Sequence, residues 1–338
     1  MPSELDAWLA LTTEEVIDPD LPICDPHHHF WDRPEPQNRY LLDELLEDTG
    51  GGHNIKETVF IECSSMYRAD GPELSRPIGE TEFVQGLAAM SASGGYGDTK
   101  VAAGIVSYAD LSAGDAVTAV LESHIAASSN RFRGVRNSSC WDEDPGIRSY
   151  KNPMNGLLAD PTFREGFSAL DKLGLSFDAW LYHTQLGELA DLARAFPGVP
   201  IILDHIAGPL GILSYAGKQK EVFQVWKTGM TDLATCPNVI IKLGGFGMPL
   251  GGFEWHKREA PPSSENIANV MGPYYRHCIE AFGADRCMFE SNFPVDKVST
   301  SYTVLWNSFK RIAEDYSPTE KAALFRDTAV RTYRLDIS

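Results

Sequence analysis

Eight short apolar runs, most of them separated by stretches with helical spacing, constrain this chain more than any other feature. The runs are Leu21–Cys24, Thr58–Cys63, Val101–Val106, Phe132–Val135, Leu175–Trp180, Val199–Leu203, Val239–Leu243 and Arg286–Glu290. Connecting segments such as Phe163–Leu173 and Gln185–Phe196 carry apolar residues at i, i+3 and i+4, the pattern of a helix lying on a sheet. Strands alternating with helices imply parallel β–α–β units. Eight of them favour a closed α/β barrel, the (β/α)8 TIM barrel, over a doubly wound sheet. The absence of a G-x-G-x-x-G after the first run weakens a dinucleotide-binding alternative.

Such a barrel takes about 250 residues, and the chain has 338. We expect an N-terminal extension over 1–20 and a single barrel domain over 21–338, since no linker, repeat or composition break divides it. Four long loops, Trp31–Lys56, Ser138–Asp160, Ile206–Gln219 and Gly244–Ser263, each follow a run. In a barrel they share the C-terminal face, where active sites are built.

Charge excludes some partners. With 29 Lys+Arg against 47 Asp+Glu the net charge is −18, which repels nucleic acid and anionic lipid but still allows a small anionic substrate. Six scattered cysteines without a C-x-x-C pair are expected to be buried thiols in a reducing compartment. The acidic N-terminus is unlike a secretory signal, and no apolar run reaches the roughly 20 residues of a membrane span. The expectation is a cytoplasmic protein acting on a small molecule, with a homo-oligomer left open.

The chemistry concentrates at strand ends. In Asp25-Pro26-His27-His28-His29, His27 and His29 are two apart, so on an extended backbone both point to one side and offer adjacent corners of a divalent cation site. The bland alternative is a polar turn with His28 solvated. His205, in Leu203-Asp204-His205-Ile206-Ala207-Gly208-Pro209, projects from the sixth strand and is the third candidate ligand. His183 closes the fifth strand as a ligand, an acid–base group, a substrate contact or a helix cap.

The eighth run continues as Glu290-Ser291-Asn292-Phe293-Pro294-Val295-Asp296. The D-x-H-x-H start, the L-D-H-x-x-G-P segment, Lys242-Leu243-Gly244-Gly245 and this S-N-F-P-V-D end together resemble the amidohydrolase superfamily. Within it they are closest to the amidohydrolase-related branch of lactone hydrolases and nonoxidative decarboxylases. The resemblance spans Ile23 to Leu335. It implies a (β/α)8 barrel with a divalent metal such as zinc or manganese on the H-x-H pair, further histidines and an eighth-strand aspartate. Some lactonases of the branch work without metal.

One position departs from the family pattern: Asn292 stands where the family has the proton-transferring aspartate, and an amide lacks that basicity. Glu290, Asp296 and Glu62 are the carboxylates able to compensate, and sequence alone does not rank them. Their alternatives are a buried ion pair for the glutamates and a helix N-terminal contact for Asp296. For substrate, Arg136 at the end of the fourth strand suits a carboxylate. Arg68 is a second such candidate, or a surface ion pair. Tyr67, Trp141 and Tyr182 are candidate walls. The expected activity is hydrolysis of a small, carboxylate-bearing lactone or related cyclic ester or amide. The alternative is nonoxidative decarboxylation.

Overall fold

A computed structural model describes residues 4–34, 37–128, 130–147, 151 and 153–336. Residues 1–3 of the N-terminal extension, 148–150 and 152 of the loop after the fourth strand, and 337–338 at the end of the expected domain lie outside the described residues.

All eight expected strands form, and they make one parallel sheet in chain order. They are β1 (Pro22–His28), β2 (Asn54–Ile61), β3 (Lys100–Ser107), β4 (Phe132–Ser138), β5 (Ser176–Trp180), β6 (Ile201–Leu203), β7 (Val239–Leu243) and β8 (Cys287–Phe289). The sheet curls until its edges meet: Asn292 N–H donates to His27 O (2.9 Å) and His29 N–H to Phe293 O (2.8 Å), just past β8. This is a nearly closed single-domain barrel with helices between the strands.

Three strands run well beyond the bounds their apolar residues suggest: β2 starts earlier, at Asn54, and two others continue at their C-terminal ends. β1 continues through Asp25-Pro26-His27-His28, and β4 through Arg136-Asn137-Ser138. In both, buried polar side chains find partners, Asp25 and His28 on β1 and Arg136 and Asn137 on β4, so the usual reason for a strand to stop is absent. Between β1 and β2 the chain folds a two-stranded ribbon, Trp31–Pro34 against Gln37–Tyr40, and a short helix, Leu42–Thr49.

The helices end where their caps dictate. Pro161–Leu173 starts on Asp160, whose carboxylate accepts the Phe163 N–H at 2.9 Å, and stops at Gly174 in the left-handed region. Its buried face, Phe163, Phe167 and Leu170, follows the expected spacing and packs over β5 through Phe177.

Alternation along the strands then divides the interior into layers. The outward residues join the large core beneath the helices. The inward residues Cys24, Val59, Ile61, Val106, Ile202 and Met288 form a second apolar cluster, joined by Ala329, Tyr333 and Leu335. Those last three arrive from the helical segment that follows β8. Two residues further along three strands, Ile202 gives way to Asp204, Ile240 to Lys242 and Met288 to Glu290. A layer of charge therefore sits directly on a layer of hydrocarbon.

The extension is tied down from Trp8 onward: its indole donates to Arg258 O (3.0 Å), and Ile17 N–H donates to the Asn307 side chain (2.9 Å). All six cysteines are buried and unpaired with one another. No helix among the described residues is long and apolar enough to cross a membrane.

Candidate active site

His27 and His29 both turn into the barrel mouth, their rings 4.9 Å apart and nearly perpendicular. His28 points the other way. It is buried rather than solvated, bonded through Nε2 to Thr58 (2.8 Å), and burial pushes its pKa down to about 3. His29 Nδ1 lies 2.8 Å from Ile61 O; a carbonyl only accepts, so this nitrogen carries the proton and Nε2 keeps its lone pair. Burial, with Lys242 beside His27 and Arg136 beside His29, holds both imidazoles well below their ordinary pKa. They are neutral, the form in which an imidazole is able to ligate a metal.

His205 meets His27 at a ring separation of 4.5 Å. It does so through an unusual backbone. His205, Ile206 and Ala207 have φ of 53°, 47° and 62°, three consecutive non-glycine residues in the left-handed region. That costs on the order of 1–3 kcal/mol each and persists only where the surroundings dictate it. Here Trp226 donates its indole N–H to Ile206 O (2.7 Å), while Glu290 Oε1 accepts from His205 N–H (3.1 Å) and Nδ1 (2.6 Å). Gly245, at φ +77°, completes the fit: a Cβ there would come within 2.4 Å of the His205 ring.

Glu290 sits between the histidines. Its Oε2 lies 2.8 Å from His27 Nδ1 and its Oε1 bonds His205. Burial alone would raise this carboxyl, but the His205 and His27 imidazoles outweigh it and hold it down at about 2. Glu290 is therefore a fixed anion that orients two rings.

Asp296 behaves in the opposite way. It is buried on the turn after β8, with Oδ1 accepting from Asn292 Nδ2 (2.8 Å) and Oδ2 from Gly247 N–H (2.9 Å). Burial pushes its pKa up to about 7, with His205 close enough to pull against that rise. Asn292 itself has φ 55°, and its side chain spends its N–H on Asp296.

The charged layer beneath is densely paired. Lys242 Nζ donates to Asp178 Oδ2 (2.7 Å) and Asp204 Oδ1 (2.9 Å), and Tyr333 donates its hydroxyl to Asp178 Oδ2 (2.6 Å). Arg136 bonds Glu62 Oε1 through Nε (3.0 Å), with Nη1 at 3.5 Å from Asp204 Oδ2 and 3.4 Å from His27 Nε2. Asp25, outside this layer, takes N–H bonds from Ser291 (3.0 Å) and His27 (3.3 Å) and the hydroxyl of Tyr302 (2.9 Å), stapling β1 to the end of β8.

The donor set fits a divalent cation. His27, Asp204 and His205 are all buried and each offers a ligand atom, the three lying within 4.8 Å of one another. A carboxylate behind two ligating histidines is a common supporting arrangement for such a site.

The remaining sequence candidates spread over the mouth. Trp180 and Tyr182 form an apolar wall with Cys140, Ile147 and Leu210, and the Trp180 ring meets His205 edge-on at 4.8 Å. His183 lies on that wall, its ring 5.4 Å from Tyr215 and its Nδ1 accepting the Leu210 N–H (3.5 Å), with burial pushing its pKa to about 4. It opens a short 3-10 turn, and Gln185 rather than His183 precedes the following helix. Trp141 is half-buried at the rim, its backbone N–H donating to Gln185 (3.0 Å). Tyr67 accepts from Lys151 Nζ (3.3 Å), which also reaches Glu62 Oε2 (3.3 Å). Arg68 is exposed, with its guanidinium paired to Glu82.

Sequence reasoning gave no role to Asp178, Asp204, Lys242 or Tyr333, although Asp204 and Lys242 stand in motifs that carry the family resemblance. The signal for the first three was present: a charge inside or directly at the end of an otherwise apolar strand is seldom accidental. Tyr333 had no comparable signal.

The amidohydrolase family model matches residues 24–335. An uncharacterized protein, y4mH, of Sinorhizobium fredii is 36% identical over 328 residues, covering 94% of this chain and 99% of its own length. An L-fucono-1,5-lactonase of Burkholderia ambifaria is 24% identical over 326 residues, covering 92% of this chain and 95% of that enzyme. An amidohydrolase from Burkholderia multivorans, solved with bound zinc, shares the fold with a TM-score of 0.71 at 22% identity, over 93% of this chain and 99% of that one. With the family model covering almost the whole barrel, this chain belongs to the amidohydrolase family.

Proposed function

We propose that this protein hydrolyses a small, hydroxyl-rich lactone at the mouth formed by His27, His29, His205, Arg136, Asn292 and Asp296. Asp296 carries the assignment. It is a buried carboxyl held at about 7, within electrostatic reach of His205 and bonded to Asn292 and Gly247. A group that gains and loses a proton near neutrality is what hydrolysis needs where the family's aspartate has become an amide.

The carboxylate of Asp296 takes the proton from the attacking water and returns it to the ring oxygen as the ester bond opens. Glu290, fixed as an anion, keeps His27 and His205 in place. Arg136, held by Glu62 and Asp204, keeps its positive charge beside His27, where that charge favours the oxyanion that develops on the carbonyl. Asn292 aligns Asp296. A divalent cation on His27, Asp204 and His205 would supply Lewis-acid polarisation of the carbonyl and acidify water. His29 lends a further neutral imidazole beside His27, and His183 stays on the wall as a contact for substrate.

The lactonase relative supports a lactone. The composition of the mouth supports hydroxyls over a free carboxylate on it. Arg136, the expected anchor for an acid, is already held by Glu62 and Asp204, and Glu62, Asp178, Asp204 and Glu290 are all buried nearby. Hydroxyl groups donate to such acceptors, whereas a second anion is repelled. Tyr182, with Trp180, gives the ring an apolar face to lie on, and Trp141 and Tyr67 border the entrance.

Acid release from a panel of γ- and δ-aldonolactones, compared with carboxylated lactones, tests the assignment. Turnover of the hydroxylated set is expected. Hydrolysis confined to carboxylated lactones would restore Arg136 as the anchor, and carbon dioxide release from aromatic acids without lactone turnover would replace hydrolysis by decarboxylation.

A further inference from the structure

Lys242 stands in the middle of the charged layer with no part in the chemistry above. Its side chain is fully buried on β7, above Ile240. Its ammonium is held by two carboxylates, Asp178 Oδ2 at 2.7 Å and Asp204 Oδ1 at 2.9 Å, and lies 3.2 Å from His27 Nδ1. Tyr333 steadies the arrangement from below, with its hydroxyl on Asp178 and its ring 5.5 Å from the Lys242 nitrogen.

Two of these contacts matter for any other cation. His27 and Asp204 are also two of the three residues whose ligand atoms converge within 4.8 Å. The other oxygen of Asp204 already faces Arg136 at 3.5 Å. A divalent ion entering the group would meet an aspartate whose oxygens are both turned to cations, with a fixed positive charge beside its ligands. Like charges a few ångströms apart in a poorly solvated interior repel strongly.

We propose that Lys242 is a tethered cation that shares ligands with the metal site and holds its affinity for divalent ions below what the donor set alone would give. This rests on His27, Asp204 and His205 being the metal ligands. Lys242 is a positioning residue in this role. It keeps Asp204 and His27 in place without metal, and a divalent ion gains those ligands only against its charge. Asp178 and Asp204 grip the ammonium from two sides in a fully buried position, so the competition persists in the resting protein.

Zinc ion is the probe, titrated into the full-length protein against a chromogenic chelator. Lys242→Met and Lys242→Gln are each expected to bind zinc at least about tenfold more tightly than the unaltered chain, because a repelling charge has gone while the ligands remain. The gain is expected to vanish when His205→Ala is added. Glutamine keeps an N–H donor for the carboxylates, so it decides the matter if the methionine variant fails to fold. Equal or weaker zinc binding in the folded variants overturns the proposal, and so does a gain that survives His205→Ala. Lactone turnover by the unaltered protein is measured separately, and its absence counts against the hydrolytic function without altering the zinc comparison.

Discussion

Asn292 donates a 2.8 Å hydrogen bond from its side-chain nitrogen to Oδ1 of Asp296. Within one short motif the amide and the acid have thus been brought together, and the acid is the member with a titration near neutrality. Asp296→Asn should lower kcat by about 10²–10⁴, the range for loss of a general acid–base. Zinc affinity should stay as it was, because Asp296 lies outside the converging ligand set. Steady-state kinetics and a chelator titration on the same preparation check both halves.

The pH dependence follows from the same carboxyl. Its ordinary value of 3.8 is raised to about 7, chiefly by burial. Activity should therefore climb with pH and level off above about 7, as the carboxylate forms. Stability should move the other way: a raised folded-state value contributes stability that is complete below pH 3.8 and is lost as pH rises through 7. Asn292→Asp places a second acid beside the first and should move the activity limb to higher pH. Rate and thermal denaturation profiles across this range test the prediction, and an unmoved limb in Asn292→Asp would count against Asp296.

Glu290→Gln keeps the shape of the side chain but removes the charge between His27 and His205. Loss of a supporting group of this kind typically costs about 10–100-fold in metal affinity or activity. We expect both to fall together. An activity loss with unchanged zinc binding would instead make Glu290 a direct participant.

Gly245→Ala drives a methyl group toward the His205 ring, to within 2.4 Å, at a backbone φ of +77° that alanine disfavours. Strain on the order of 1–3 kcal/mol is expected, together with loss of turnover as His205 is displaced. Chemical denaturation and kinetics measure the two effects.

The two arginines named from sequence should differ sharply. Arg136→Met breaks a buried pair with Glu62 and should cost about 3–5 kcal/mol of stability. Arg68→Ala removes an exposed pair with Glu82 and should cost under about 1 kcal/mol, with kcat and KM unchanged. A large effect of Arg68→Ala on KM would return it to the substrate site.

Strand positions were legible because an inward-facing and an outward-facing apolar layer leave continuous hydrophobic runs; Val239–Leu243 appears in the structure with the same bounds. The strand ends were less so, since Asp25 to His28 look like a turn until their buried partners are known. The histidines were legible from spacing. The ranking of Glu290 against Asp296 was not, because it depends on a left-handed residue at Asn292 that turns the chain back. Nor was the Lys242 cluster, whose members Asp178, Asp204 and Tyr333 come from distant parts of the chain.

The hydroxyl that Tyr333 places on Asp178 has a consequence for assembly. A ribosome has released all eight strands before it releases Tyr333, so the sheet can close while the lowest hydrogen bond of the charged layer is still missing. During synthesis Asp178 and Lys242 should therefore acquire their final support last, after the barrel around them has closed.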